Sequence, residues 1–494
     1  MGGNPAPEPI VLRGHGGDVQ CVAFTTLGGV ECLLSGDSNG DVVAWDLALR
    51  RPLWRLAAHP PSSGVLSVEA MPGGASCPPG DTSERGETSA TRVLTQGRDG
   101  TLKCWRASGA DAPSPDPAWS VTSGSFHFCR FASARDVSTT NLRALAVVGA
   151  ETSAVDVLAV LADAADAPPA HARTFRVPTE CSYEKKRSET WDASLRGAPE
   201  GKLGTVMACA FLFAPFASGE ATDETSPRGG ALLLVVGYEE GTVALWDCER
   251  VGDGTAAPPP LSEADERDAK PFRAAPAPAR VSGAPLWRER AHGDAVTSIA
   301  ADTRRGGFVS ASADGGVLRF SVRAVRETIR EDDSESESST SKTNETKTKT
   351  RVSFSTRVKV RRAQAHGGAP EDAFATGAAT RGVACVAVRD DGAVFAAGGW
   401  DGRTRVYEIR GDHPGSSGSG GEKKPKRKPK RLASLGFHDD VVSCAAFRTA
   451  GGGKGARAFA GWLATGSRDG AVALWPIFPP KTRADGDGDE DEDA

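Results

Sequence analysis

The sequence predicts an all-β fold, a closed ring of seven short-stranded blades with long insertions between strands. Three observations carry that expectation. First, one turn recurs, an acid or amide before glycine, with an aromatic at a fixed offset: Asn39-Gly40…Trp45, Asp99-Gly100…Trp105, Glu240-Gly241…Trp246, Asp314-Gly315…Phe320, Asp401-Gly402…Tyr407 and Asp469-Gly470…Trp475. Second, a short apolar strand precedes each turn, and a histidine lies upstream of most. Third, the last unit stops after its third strand, while Pro9 to Arg13 has no blade of its own. A fixed-period repeat decides architecture before any local propensity does, and repeat folds outgrow the single-core size limit that a chain of 494 residues would otherwise exceed.

The C-terminal unit shows the plan most clearly. His438 precedes a strand, Val441 to Phe447. A second strand covers Trp462 to Thr465, and Asp469-Gly470 turns into a third, Ala471 to Trp475. Asp-Gly supplies the positive backbone dihedrals that a tight hairpin prefers. His438, Thr465, Asp469 and Trp475 resemble the set found in WD-repeat blades. The resemblance implies a buried hydrogen-bonded relay from Trp through Ser/Thr and His to Asp. Such groups tolerate burial only when all are paired. The same set recurs as His59, Thr95, Asp99 and Trp105 in the second unit and as His15, Ser35, Asn39 and Trp45 in the first. The fifth unit has His292, Ser310 and Asp314, but Phe320 in place of Trp cannot donate. The sixth keeps Asp401 and Tyr407 with Ala397 in place of the hydroxyl, and the fourth has Glu240 and Trp246 without an evident His. Those three blades are expected to depend more on packing.

A third unit belongs between Trp105 and Gly204. Phe126 to Phe131 is read as its first strand, with Ala144 to Gly149 and Ala154 to Val160 as the next two. That makes seven units, a common number for a closed propeller. Residues 10–13 are expected to supply the outer strand of the last blade and so remove both open edges. The single propeller is read as residues 9–479, after a flexible 1–8 and before an acidic disordered tail at 480–494. Insertions near 72–91, 162–202, 252–285, 327–362 and 411–430 are rich in Ala, Pro, Gly, Ser and charge, and are read as disordered surface loops.

Composition narrows the function. Hydrophobic residues make up 39% and charged residues 25%, and the net charge of −5 is mild, so no whole-molecule field points to nucleic acid or membrane. Met1 to Pro9 lacks a positive leader and an apolar core, and the longest apolar run, Val206 to Ala214, is too short to cross a bilayer. An intracellular soluble protein is expected. The ten cysteines contain no CxxC pair, so neither a zinc ribbon nor a redox motif is supported. Cys21, Cys209, Cys385 and Cys444 share one context in the first strands, which reads as small buried residues packed between blades. No nucleophile–base–acid set and no Walker arrangement occurs. The chain is expected to be no enzyme, with no cofactor and no metal site.

Several runs are more selective than a generic repeat: Leu94 to Asp99, Phe128-Cys129-Arg130, Val236 to Asp247, Gly399 to Tyr407 and Phe437-His438. Together, blade by blade from Val11 to Trp475, they resemble the G-protein-beta-subunit-like protein 1 group, whose fungal members are called ASTRA-associated protein 1. The resemblance implies a non-catalytic adaptor in an ASTRA-like chromatin-associated complex. There it would act with a cochaperone that matures phosphatidylinositol-3-kinase-related kinases, as a monomer within a larger protein assembly, in nucleus and cytoplasm. The competing reading is a substrate receptor of a cullin ubiquitin ligase, or a trafficking or developmental adaptor. Trp400-Asp401-Gly402-Arg403 formally matches the WDxR pattern of such receptors but lies before the third strand instead of at its end. A true G-protein beta subunit is disfavoured, because residues 1–10 are Pro- and Gly-rich and run into a strand, leaving no helix to coil with a gamma subunit.

The residue before each turn acid is expected to project from one rim of the propeller. Arg98, Glu239, Trp400 and Arg468, with Tyr238 nearby, form the candidate partner-binding rim, because exposed Trp and Arg often carry binding energy. Lys423, Lys424, Lys426, Arg427, Lys428, Lys430 and Arg431 form a candidate nuclear localisation signal in a loop. Interleaved aromatics are absent there, which argues against single-strand nucleic-acid binding.

Overall fold

The fold was read from a computed structural model of the full chain. The structure describes residues 7–71, 91–107, 111–122, 127–135, 142–149, 151–161, 168–176, 203–215, 230–248, 285–332, 350–366, 382–409, 430–448 and 459–477. Their strands form seven four-stranded antiparallel sheets. Blade one contains β2 (Val19–Leu27), β3 (Val30–Asp37), β4 (Asp41–Asp46) and β5 (Arg51–Ala57); blade two contains β6 (Val65–Met71), β7 (Thr91–Gly97), β8 (Thr101–Ala107) and β9 (Trp119–Thr122). Blade three contains β10 (Ala132–Arg135), β11 (Leu142–Val148), β12 (Ala154–Leu161) and β13 (Ala170–Arg176), and blade four β14 (Val206–Pro215), β15 (Gly230–Tyr238), β16 (Thr242–Asp247) and β17 (Trp287–Arg290). Blade five contains β18 (Val296–Asp302), β19 (Gly307–Ser312), β20 (Val317–Asp332) and β21 (Thr350–His366), and blade six β22 (Val383–Val388), β23 (Val394–Gly399), β24 (Arg403–Glu408) and β25 (Lys430–Gly436). Blade seven joins β26 (Val442–Phe447), β27 (Leu463–Ser467) and β28 (Ala471–Trp475) to β1 (Ile10–Arg13) from the opposite end of the chain.

That last pairing closes the ring. Ile10 lies opposite Leu474, Val11 opposite Ala473, Leu12 opposite Val472 and Arg13 opposite Ala471. The edge left by β28 is therefore covered, as expected from the incomplete last repeat. Buried apolar residues gather where neighbouring blades face each other. Leu12, Trp45 and Leu474 meet between blades seven and one, and Trp105, Trp54 and Val65 between one and two. Trp246 and Phe175 meet between blades three and four, and Leu435 and Trp475 between six and seven. The β-strands are apolar on both faces for this reason: each sheet is covered by a blade on either side.

The six glycine turns read from the sequence all take positive φ, from 74° at Gly100 to 88° at Gly40. At Gly40, Gly241 and Gly402 a side chain would also collide with the carbonyl of the next histidine loop, at His59, His292 and His438. Only glycine allows the turn of one blade to nestle under the histidine loop of the following one.

Several expected boundaries shift. Blade three begins at Ala132 and not in Phe126 to Phe131, because β10 pairs only as far as Ala132 opposite Ala146. Its outer strand β13 falls inside the stretch 162–202 that reads as loop. In the stretch 327–362, strand β20 continues to Asp332 and β21 begins at Thr350, paired residue for residue. Alternating Val352, Phe354, Val358 and Val360 give this segment the period of a strand, which its charge had masked. Lys430 and Arg431, the end of the basic run, belong to β25. Lys423 to Lys428, the remaining insertions and the tail from 478 lie outside the described residues.

Candidate functional site

Three blades carry the relay with short, directional bonds. In blade seven Trp475 Nε1 donates to Thr465 Oγ1 at 3.0 Å, Thr465 meets His438 Nε2 at 2.9 Å, and His438 Nδ1 meets Asp469 Oδ2 at 2.9 Å. One neutral tautomer satisfies every group: the carboxylate can only accept, so Nδ1 carries the proton and Nε2 accepts from the threonine hydroxyl. Burial lowers the His438 pKa, with Asp469 opposing it, consistent with the neutral ring. In blade two Trp105 and His59 both meet Thr95 at 2.9 Å. There Asp99 lies 3.7 Å from His59, and Thr101 bridges them, at 2.7 Å from Asp99 and 3.2 Å from His59. Burial opposes the ionised Asp99, but the nearby His59 ring and the hydrogen bonds from the Thr101 hydroxyl and N–H outweigh it and hold its pKa down to about 2.

Blade one corrects the sequence reading. His15 pairs with Ser35 at 2.6 Å and with Asp37 at 2.9 Å, and Trp45 donates to Ser35 at 2.7 Å. The acid of this relay is Asp37 and not Asn39. Asp37 Oδ1 accepts from the backbone of Asn39 and Asp41, so it holds the turn as well. Blade two shows why an acid fits two residues earlier: a side chain on Gly97 would meet His59 Nδ1 and Asp99 Oδ1, both at 2.5 Å. The space is the same in both blades, and the carboxylate enters it from either side.

The other blades fill that space differently. In blade five His292 meets Ser310 at 2.7 Å, Asp314 sits 3.9 Å from His292 and accepts from the backbone of Gly293 and Gly316, and Phe320 stacks on Phe308 with centroids 4.5 Å apart. In blade six Arg405 grips Asp401 through two bonds, at 3.1 and 2.7 Å, and Tyr407 stacks on Phe395. In blade four Tyr238 takes the position of Asp37. It is only 1% exposed; burial pushes its hydroxyl pKa up, and the buried Trp246 Nε1 of the same blade has no hydrogen-bond partner among the described residues. Tyr238 is therefore a core residue and not part of the rim.

The remaining rim residues are oriented by one repeated backbone bond. The N–H of the residue before each turn acid donates to the loop ahead of the first strand: Arg98 to Ser63, Glu239 to Thr205, Trp400 to Gly382 and Arg468 to Val441. The bond turns each side chain outward. Arg98, Glu239, Trp400 and Arg468 are all exposed. Arg98, Trp400 and Arg468 line one cavity of about 620 Å³, with Ser38, Phe128 and Arg130. Glu239 stands apart from it and accepts from the Thr205 backbone at 3.1 Å.

That cavity is the mouth of the central channel. Its walls come from a feature that sequence reasoning missed. In six blades the register slips in the first strand, between Val19 and Cys21, Val65 and Ser67, Val206 and Ala208, Val296 and Ser298, Val383 and Cys385, and Val442 and Cys444. Each bulge leaves one residue out of the ladder. Gln20, Leu66, Met207, Thr297, Ala384 and Ser443 are those residues, and all line the channel. The signal was present, since Val-x-small recurs at all six places. The bulge also shows that Ala208, and not Cys209, matches Cys21; Cys209 Sγ instead lies 3.8 Å from Cys129 Sγ, in the segment leading into blade three. Cys21 and Cys385 point to the carbonyls of Val65 and Val442 in the next blade, and burial raises both thiol pKa values, that of Cys385 to about 12.

Blade three has no such slip in its first pairing and contributes Arg130 to the channel. Its Nη2 donates to two bulge carbonyls on the far side, Gln20 at 2.6 Å and Ser443 at 2.9 Å. The WDxR arginine, Arg403, opens β24, so Trp400 to Gly402 form the turn. Among the described residues no group of three or more His, Cys, Asp or Glu could hold a metal, and no helix is long and apolar enough to cross a membrane.

Comparison with known proteins agrees with this architecture. The WD domain, G-beta repeat, matches residues 8–46 and 374–408. ASTRA-associated protein 1 of Verticillium alfalfae is 24% identical over 96% of this chain and 93% of its own length. The proteins of the same name from Aspergillus niger and Schizosaccharomyces japonicus are 23% and 22% identical, again over 96% of this chain, and over 98% and 99% of their own lengths.

Proposed function

We propose that this WD-repeat protein, similar along nearly its whole length to ASTRA-associated proteins, is a non-catalytic scaffold subunit of an ASTRA-like chromatin-associated assembly. In that role it acts with a cochaperone in the maturation of phosphatidylinositol-3-kinase-related kinases, in nucleus and cytoplasm. The observation that supports the reading most is the extent of the likeness: it covers 96% of this chain and 93% of the Verticillium relative, so it is not confined to one generic repeat. The polar groups inside the blades add to it. His, Ser/Thr and acid side chains that elsewhere could form a reaction centre are here engaged with a buried indole, as in the bonds of Thr465 to His438 and Trp475, and serve packing. What remains outward is an aromatic and cationic rim suited to protein contacts.

Affinity capture with the full chain, followed by mass spectrometry, tests the proposal. Recovery of the cochaperone subunits together with the large kinases is the expected outcome. Recovery of a cullin adaptor in their place would overturn it. Imaging a fluorescent fusion, with and without Lys423 to Arg431 changed to Ala, tests the nuclear share; an unchanged distribution would remove the basic run from the account.

A further inference from the structure

The channel mouth is not uniform around the ring. Following consecutive blades from six through seven, one and two to three, the outward residues are Trp400, Arg468, Ser38, Arg98 and Phe128, and all five line the same cavity. An aromatic stands at each end, an arginine lies inside each aromatic, and a serine is at the centre. Arg130 lies deeper in the same cavity. Among the described lining side chains only Asp18 is acidic. Blades four and five carry Glu239 and Ala313 at the matching positions and contribute neither to the cavity. A chain with net charge −5 thus concentrates three guanidinium groups at one opening.

Both aromatics are held in place although exposed. Phe128 is 63% and Trp400 39% exposed, and the only other exposed large apolar residue among those described is Leu49. The Arg98 guanidinium lies 5.2 Å from the Phe128 ring centroid, a cation–π distance. The Trp400 indole lies against Gly382, where any side chain would collide with its ring, and its own backbone is tied to Gly382 at 2.9 Å. A fixed aromatic loses little conformational freedom when a ligand covers it, so more of its burial appears as affinity.

We propose that the arc from Trp400 to Phe128 receives a linear acidic segment of a protein partner. Asp or Glu carboxylates pair with Arg468 and Arg98, and apolar side chains on either flank cover Trp400 and Phe128. Charge complementarity selects the anion, and the planar guanidinium favours a carboxylate through two parallel bonds. The two flanking rings require an apolar residue on each side of the acidic run, which sets this ligand apart from a plain polyacidic tail. The inference rests on the scaffold reading above, since it supplies the contact by which that scaffold would hold a partner.

The test is a random-peptide display selection on the full-length protein, with the enriched peptides then synthesised and titrated by fluorescence anisotropy. Enriched sequences should combine Asp or Glu with flanking aromatic or aliphatic residues. Arg98→Ala with Arg468→Ala, and separately Trp400→Ala, should each weaken binding by at least about tenfold while leaving the thermal midpoint close to wild type. Leu49→Ala, away from the cavity, should leave affinity unchanged and serves as the control. Neutral or basic selected peptides, or binding that survives the double arginine change, would overturn the proposal, as would peptides of acid alone that bind equally well. Capture from lysate separates the two levels. If the double variant still recovers the cochaperone, the scaffold stands and the mouth is not its contact. If the wild type recovers none, the scaffold reading fails whatever the peptides show.

Discussion

Blade seven and blade four pack the same space with different chemistry. Blade seven fills it with Trp475, Thr465, His438 and Asp469, joined in series by bonds of 2.9 to 3.0 Å. Blade four has no histidine there and inserts a single phenol, Tyr238, beside Trp246. Both aromatics are almost completely buried. The difference teaches that the blade requires a filled space next to the indole, while a bonded indole N–H is optional: Trp475 Nε1 is bonded and Trp246 Nε1 has no partner among the described residues. It also teaches where the risk lies. A serial network fails as a unit when one member is lost, whereas a single inserted side chain puts only its own contacts at stake.

The largest expected effect follows from removing the centre of the complete relay. Thr465→Val keeps the volume but leaves His438 Nε2 and the Trp475 N–H without their shared partner. A loss of about 2–3 kcal/mol is expected, readable by urea unfolding; a loss below about 0.5 kcal/mol would show that the network adds nothing to packing. Blade five is intermediate. Its Phe320 has no donor, so Ser310→Ala breaks the bond to His292 and no indole bond. About 1 kcal/mol is expected, and a cost equal to that of Thr465→Val would break the comparison. In blade four, Tyr238→Phe retains the ring and removes only the hydroxyl, for about 0.5–1 kcal/mol.

Acid should separate the blades more gently. Asp99 has its pKa held down to about 2 despite burial, through His59 and Thr101. Its contribution is complete above the ordinary carboxylate value near 3.9 and is lost as the pH falls through that value toward the folded one. His438 acts in the same direction. Burial holds its folded pKa below the ordinary value, with Asp469 opposing, so unfolding takes up a proton once the pH falls below about 6.5. The thermal midpoint should therefore decline from neutral pH downward. Asp99→Asn, less stable at neutral pH, should show a shallower decline below about pH 4; parallel curves would remove Asp99 from the acid response.

The ring was legible in the sequence because its turns are chemical punctuation. Asp-Gly and Asn-Gly fix hairpins locally, and the fixed offset to the aromatic reveals the repeat. The seam was legible as well, since Pro9 to Arg13 had no other place. The site was harder to read for two physical reasons. Alternation along a strand decides which residue beside a turn faces inward, and a shift of one position exchanges core for surface. Arg98 and Trp400 fall on the outward side, while Tyr238, two places before its turn acid, falls inward, as does Asp37. In blade one the turn motif points to Asn39, while the relay acid is the carboxylate two residues earlier, Asp37. Phe128 and Arg130 sit in the segment leading into blade three, which lacks a turn acid and closing Trp, so no repeat register exists to place them. Their convergence with Arg98 and Arg468 is a product of ring closure and cannot be read from local pattern.

The pairing of Ile10 with Leu474 has a consequence for folding. Strand β1 stays unpaired until β28, in the last blade, is available, so ring closure is a late step of folding. Contacts so distant in sequence are slow to form, and until then β28 presents a bare edge to every neighbouring nascent chain. Because β1 and β28 share one seam, a bulky group placed against Ile10 would be felt at Leu474, in the last blade.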